Sequence, residues 1–469
     1  MANRALCGCL FWTKALIALL IALGGLGYQA YLIYKLYSPS ATLPSIDIPN
    51  PGSSSSTACY YDKSLGKARL EPPAGTFIMG FSLDWSVDLP TRLGDRINKR
   101  PALFNKRKCG NCGTTKSAGK WRRDREIPDS YLSFAKINAT AYEKDIISWQ
   151  AQEAGKVGAM LEITLQPMVP MDQIPTDLLW DFSVFMRTVN SKSGVPVLLR
   201  FGHEMNGNWM PYGMRPLAYK QAFATLSSYI HMNTNMTAML WSPNVGNTYP
   251  FGATAGTGPV PAAGTDEFKA LDTNGDNLFT EADDPYLPYF PGAEWVDWVG
   301  ISVYNYEYDA NHQVGTVPLT VFTSTTNQMS ITGADDTHNF YQRFVASTNK
   351  PFIFSETGSA YQTGGNKIVP TDNQLTVELA SKRSWWNAIL QGAIGGGAQF
   401  TQMRAAVWFE EQKTETDSAL NNQEVWRDYR ITYNATVRDA FLADLASFNS
   451  KINWAGNLKV ACNGAITIQ

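Results

Sequence analysis

Short apolar runs recur along the chain at intervals that suit a repeating unit. Runs with strand character lie at Phe77–Phe81, Ala102–Phe104, Met160–Leu165, Val195–Phe201, Ala238–Trp241, Val299–Val303, Pro351–Phe354 and Ala405–Phe409. Several are almost continuously hydrophobic, the pattern of strands covered on both faces rather than half-solvated ones. Between many of them the spacing changes to that of amphipathic helices, as at Ala141–Gly155, Thr176–Val189, Leu217–His231 and Leu375–Leu390, with another at Val437–Phe448. Eight strands alternating with helices predict an α/β fold of the (β/α)8 TIM barrel type, whose chemistry sits at the C-terminal ends of the strands. A doubly wound open sheet is disfavoured, because no Gly-rich phosphate loop follows any strand.

The N-terminal pattern is different. Between Lys14 and Lys35 runs ALIALLIALGGLGYQAYLIY, without a charge, and Tyr28, Tyr31, Tyr34 and Tyr37 gather towards its far end. This predicts one transmembrane helix over 15–34, preceded by a cytoplasmic tail over 1–14, with tyrosines at the interface. A cleaved signal peptide, with Arg4 and Lys14 as its charged start, is the alternative. The stretch 38–58, SPSATLPSIDIPNPGSSSSTA, is too polar and Pro-rich to pack and reads as a stalk. The folded part is expected over 59–469. Three sequons, at Asn138, Asn235 and Asn434, are candidate glycosylation sites and place that part outside the cell in a single-pass type II arrangement, or secreted in the alternative.

Composition narrows the class. With 39 Lys and Arg against 41 Asp and Glu the chain is almost neutral, which excludes a basic nucleic-acid footprint and suits an uncharged polymer as partner. The aromatic content, with 14 Trp, demands a large core, and one large barrel is expected to be monomeric. Of six cysteines, Cys7 and Cys9 precede the apolar run, where palmitoylation or plain thiols are both open. Cys59 and Cys462 bracket the folded region, and a closed barrel brings its ends together, so they are a candidate disulfide. Cys109 and Cys112 form a CxxC without the second pair a zinc site needs, which favours a local disulfide.

Candidate chemistry lies where two strands end. The fourth run continues VPVLLRFGHEMNGNWMPYG and the seventh PFIFSETGSA, which puts Glu204 and Glu356 at the C-terminal ends of strands on opposing sides of a narrow barrel. Paired carboxyls there suit glycosidic-bond cleavage, one protonating the departing oxygen and one meeting the oxocarbenium-like carbon. A zinc protease is excluded because Gly207 stands where HExxH needs its second histidine, and no G-x-S-x-G elbow supports a serine hydrolase.

RFGHEMNGNW and FSETG, together with LWSPN at 240–244, PYFPGAEWVDWVGISVYN at 288–305 and AAVWFEEQK at 405–413, resemble glycoside hydrolase family 26 over about residues 75–450. The resemblance implies a retaining endo-acting hydrolase of β-glycosidic bonds, needing no catalytic cofactor, with Glu204 as acid/base and Glu356 as nucleophile. It further implies that His203 bonds the sugar at the cleavage subsite, that Tyr304 holds Glu356 ionised, that Trp209 lines the cleft and that Trp408 forms a sugar-stacking floor. β-1,4-Mannan is the implied substrate. Mixed-linkage β-1,3-1,4-glucan or xylan is the alternative, since the family's mannanases usually carry a more Trp-rich run than NWMPYG after the HEMNG block. A hypothesis of another class is an inactive glycan-binding, wall-tethering protein, which would have no need of both glutamates. One insertion, LDTNGDNLFTEADD, sets Asp272, Asn274, Asp276, Leu278, Thr280 and Asp283 at the oxygen-ligand spacing of a calcium loop and predicts a structural Ca²⁺, with Asn277 at the usual glycine position.

Overall fold

The computed structural model describes residues 70–106, 141–246, 249–251, 260–305, 339–363, 374–417, 423–461 and 464–468. The chain divides into two compact units, Met1–Thr57 and Ala58–Gln469, and every described residue belongs to the second. The expected tail, anchor and stalk, together with Cys59, Cys109, Cys112, Cys462 and Asn138, lie outside the described residues. Among the described residues no helix is long and apolar enough to cross a membrane.

Eight parallel strands close a barrel: β1 (Ile78–Leu83), β2 (Leu103–Lys106), β3 (Met160–Leu165), β4 (Val197–Phe201), β5 (Thr237–Trp241), β6 (Trp298–Asn305), β7 (Phe352–Ser359) and, after the short strand β8 (Tyr361–Thr363), β9 (Met403–Glu410). Pairing of β1 with β9, from Ile78 opposite Ala405 to Leu83 opposite Glu410, closes it. All eight regions foreseen from the apolar runs are strands, and β3 has the bounds its run predicts. The helices follow suit: α1 (Pro90–Ile97), α2 (Ala141–Lys156), α3 (Thr176–Ser193), α4 (Pro216–Asn233), α5 (Asp266–Leu271), α6 (Gln374–Ile394) and α7 (Ala435–Ala446). α3 stops where Gly194 takes the left-handed conformation, and α7 starts where the Asn434 side chain accepts from the Thr436 and Val437 N–H groups. The hydrophobic layer between barrel and helices is continuous, and each fully buried Leu or Phe in it contributes roughly 1.5–3 kcal/mol by leaving water.

Two features lie outside the repeat. Beyond the strand ends, β10 (Gln412–Asp417), β11 (Gln423–Asp428) and β8 form an antiparallel sheet that continues the chain leaving β7 and β9. At the opposite face, the segment after α7 seals the bottom. Phe77 N–H donates to Lys451 O at 2.8 Å, Asn453 N–H to Phe77 O at 2.7 Å, Ala455 N–H to Arg100 O at 2.7 Å and Leu70 N–H to Gly464 O at 3.0 Å. The two ends of the folded body therefore meet, as a closed barrel requires. A terminal hairpin of β12 (Leu458–Val460) and β13 (Ile466–Ile468) completes it.

Candidate active site

Glu356 owes its aim to an irregularity in β7. Along β6, Ile301 pairs with Phe354 and Ser302 with Glu356, so Ser355 is an extra residue on the β7 side. In a regular strand neighbouring side chains face opposite sides, but a bulge lets two successive ones share a face. Ser355 Oγ lies 2.6 Å from Ser242 Oγ, and Ser242 also accepts from Arg200 Nε at 3.0 Å, so Ser355 and Glu356 belong to one interior network. Glu356 itself is 2% exposed. Arg200 Nη1 donates to its Oε2 at 2.8 Å and the Tyr304 hydroxyl to its Oε1 at 2.6 Å. A charge-assisted bond from an arginine that cannot lose its proton, plus a phenol on the other oxygen, favours the carboxylate form.

Glu204 sits just beyond β4 on a tightly wound turn. Gly202 has φ +58°, and a Cβ there would stand 2.3 Å from Met171 Cε and 2.9 Å from Tyr219, so any side chain would be strained and would have to displace its neighbours. Glu204 follows with φ +53°, a conformation uncommon outside glycine and characteristic of functional positions. The turn is pinned by Glu204 N–H donating to Ser242 O at 2.9 Å, and by Asn206, which accepts from Asn244 N–H at 2.9 Å and donates to Asn244 O at 2.8 Å. The Glu204 carboxyl accepts from Trp209 Nε1 at 2.9 Å. Trp209, partly exposed, folds back over Gly207 and meets Phe251 edge to face. The wall beside Glu204 is thus aromatic where the motif implied it. His203 is fully buried, with Nδ1 3.3 Å from the Tyr212 hydroxyl, which also donates to the His203 carbonyl at 2.9 Å.

The structure therefore brings Glu204, His203, Trp209, Glu356 and Tyr304 to the same end of the barrel. It does not bring Trp408. That ring is 0% exposed, donates to Tyr429 O at 2.8 Å and packs edge-on against Trp386 of α6, which in turn meets Phe441 of α7. Trp408 faces the helix layer, so it is core and not a sugar floor. The residue of β9 that reaches the site side is Phe409, in edge contact with Tyr304 and Tyr429.

Two further expectations concern the 272–283 loop and the sequons. In the 272–283 loop, Asp272 Oδ1 accepts from Gly275 and Asp276 N–H, and Asp272 Oδ2 from Asn277 N–H. Asp276 accepts from Leu278 N–H, and Asn274 turns its amide onto Asp276. Asp283 is buried on the N–H groups of Thr273 and Thr280. Thr280 bonds Ala282 N–H through its hydroxyl. The loop closes on its own backbone, and among the described residues no group of three His, Cys, Asp or Glu side chains converges. Asn277 does take the left-handed conformation (φ +62°) expected of it. Asn235 is 1% exposed, which leaves no room for a glycan on the folded chain, whereas Asn434 is partly exposed at its helix cap.

Sequence reasoning passed over the polar groups inside the strands. Arg200 in VLLRF and Glu162 in MLEITL each place one charge in an apolar run, and that is the signal that could have found them. Arg200 also donates through Nη2 to Ser302 Oγ. Glu162 is fully buried, and burial pushes its pKa up to about 8, with Arg200 opposing and Glu356 adding to the rise.

No curated protein matches the chain. Solved structures similar to it include a modular endo-beta-1,4-mannanase from Cellulomonas fimi, at 13% identity and TM-score 0.46, covering 84% of this chain and 75% of that one. Bacillus subtilis mannanase BCman is similar at 14% identity and TM-score 0.43, covering 84% and 91%, and a GH26 beta-mannanase from Bacteroides ovatus at 15% and 0.42, covering 81% and 91%. Likeness at that level carries no argument about chemistry. The sequence model described as Glycosyl hydrolase family 26 matches residues 181–334. Glu356 lies beyond that stretch and its place rests on the geometry above. The matched stretch, 181–334, holds Arg200, His203, Glu204, Trp209 and Tyr304, and over it the chain is similar to glycosyl hydrolase family 26.

Proposed function

We propose that the protein is a retaining endo-β-glycanase acting on a neutral polysaccharide, with β-1,4-mannan as the backbone. Glu356 attacks the anomeric carbon to form a glycosyl-enzyme, while Glu204 protonates the departing oxygen. Glu204 then takes a proton from the water that releases the sugar, and the configuration is kept through two inversions. One observation carries this reading: one carboxyl is fixed by a cation and a phenol, the other by a single neutral indole. The first arrangement suits a nucleophile that must be charged, and the second a group that must gain and lose a proton. Trp209 beside Glu204 offers a ring for a pyranose face. The uncharged run over 15–34 supports a membrane anchor, with the barrel outside the cell.

The test is reducing-sugar release from mannan, barley β-glucan and β-xylan by the purified protein, with Glu356→Gln as control. Release from mannan above the other two, lost in the variant, is the expected result. Release only from glucan or xylan would move the substrate but keep the mechanism. No release from any of them would favour a glycan-binding protein.

A further inference from the structure

Glu162 is a third carboxyl in the barrel interior that the two-carboxylate mechanism does not use. It lies on β3 in register with Asn105 of β2 and Leu198 of β4. Thr164, two residues on and on the same face of the strand, accepts from Asn105 Nδ2, and Asn105 Oδ1 accepts from Ser82 of β1. Glu162 therefore faces the lumen, one layer below Arg200, which pairs with Thr164 across β3 and β4. It is 0% exposed, and among the described residues no partner meets its oxygens in ordinary geometry, the Asn105 amide being the one hydrogen-bonding side chain that acts to favour its charged form.

The charged groups that act on Glu162 are Arg200 from β4 and Glu356 from β7; β1 and β2 present only Ser82 and Asn105 there. Of a guanidinium's five N–H donors, Arg200 spends three, on Ser242, Ser302 and Glu356. Its single charge is matched by Glu356 alone as long as Glu162 carries none. A fully buried carboxylate is far costlier than a buried acid, and here burial outweighs both Arg200 and the Asn105 amide, so the packing selects the protonated form.

We propose that Glu162 is a positioning residue that works as the neutral acid, filling the barrel floor beneath Arg200 without drawing the guanidinium away from Glu356. This rests on the reading of Glu356 as nucleophile. Once ionised, Glu162 would share Arg200 and loosen the carboxylate above it. The rate then falls reversibly as the pH passes about 8, where Glu162 loses its proton. Because Glu162 touches no sugar, kcat falls and KM holds.

The experiment is the pH profile of wild type and Glu162→Gln on a dinitrophenyl β-glycoside of whichever sugar the polysaccharide assay selects. Such a leaving group departs without a proton, so the titration of Glu204 drops out of the first step. The expected wild-type profile falls above about pH 8, while that of E162Q stays level for at least about one pH unit more at unchanged KM. An E162Q profile that falls at the wild-type pH overturns the proposal. A second readout needs no activity: infrared difference spectra, wild type minus E162Q, should show a protonated-carboxyl band at pH 7 that disappears as the pH passes about 8. Absence of such a band overturns the proposal even if every glycoside is cleaved. If no glycoside is cleaved, the glycanase reading fails and the band still decides whether Glu162 is the acid.

Discussion

The two carboxyls at the barrel mouth are held in opposite ways. Glu356 grows from a bulged strand and is locked by Arg200 and Tyr304, whereas Glu204 rides on a strained turn and meets one indole N–H. Hydrogen bonds to a charged form stabilise that form, and Glu356 takes one from a cation where Glu204 takes one from a neutral indole. The contrast teaches that roles are assigned here by supporting groups rather than by the glutamates themselves. It can be broken from either side. Glu356→Gln should lower kcat by about 10⁴-fold or more on every substrate, because the proposed mechanism forms its covalent intermediate on Glu356. Glu204→Gln should lose about 10²–10⁴-fold on polysaccharide but much less on the first step with a dinitrophenyl glycoside. Equal losses on both substrates would erase the difference between the two carboxyls.

Tyr304→Phe sharpens the comparison by removing one lock and leaving the other. A hydrogen bond to a charged group is worth about 1.5–3 kcal/mol, so kcat should fall roughly 10- to 100-fold with little change in KM. A variant as active as wild type would show that Arg200 suffices. The smallest effect is expected far from the site, in the 272–283 loop. Its carboxylates already accept from backbone amides, so a structural Ca²⁺ there would add little: EGTA should lower the melting temperature by a few degrees at most, and unchanged melting would refute the calcium expectation.

The barrel was legible because its strands are buried on both faces and read as apolar runs. β7 extends to Ser359, past the predicted end at Phe354, because its last residues, SETGS, are polar: Glu356 turns to the lumen, while Thr357 and Ser359 bond Trp385 and Ser381 of α6. The sheet of β8, β10 and β11 was missed for a related reason: QKTETD and QEVWRD are strands with few apolar residues, and composition alone makes them loops. At the site, Glu204, Glu356, Trp209 and Tyr304 could be found because whole motifs carry them. Trp408 misled because a tryptophan at a strand end has two faces to choose from. Its neighbours in the strand show the choice, since Trp408 shares its side with Glu410, which bonds the Ile431 and Thr432 N–H groups away from the lumen. Arg200 and Glu162 needed the reverse inference, that a lone charge in an apolar run lies inside the barrel and requires a partner there.

The seal at the bottom of the barrel has a mechanical consequence. Leu70 is bonded to Gly464, and Phe77 is clasped between Lys451 and Asn453, before the chain enters β1. A pull on the chain at residue 70 would be borne first by these bonds, in shear between the two ends of the folded body. Glu204 and Glu356 stand at the far ends of β4 and β7, so such a load could peel the seal before it bent either strand. The fold thus keeps Glu204 and Glu356 out of the path of any force applied to the chain at residue 70.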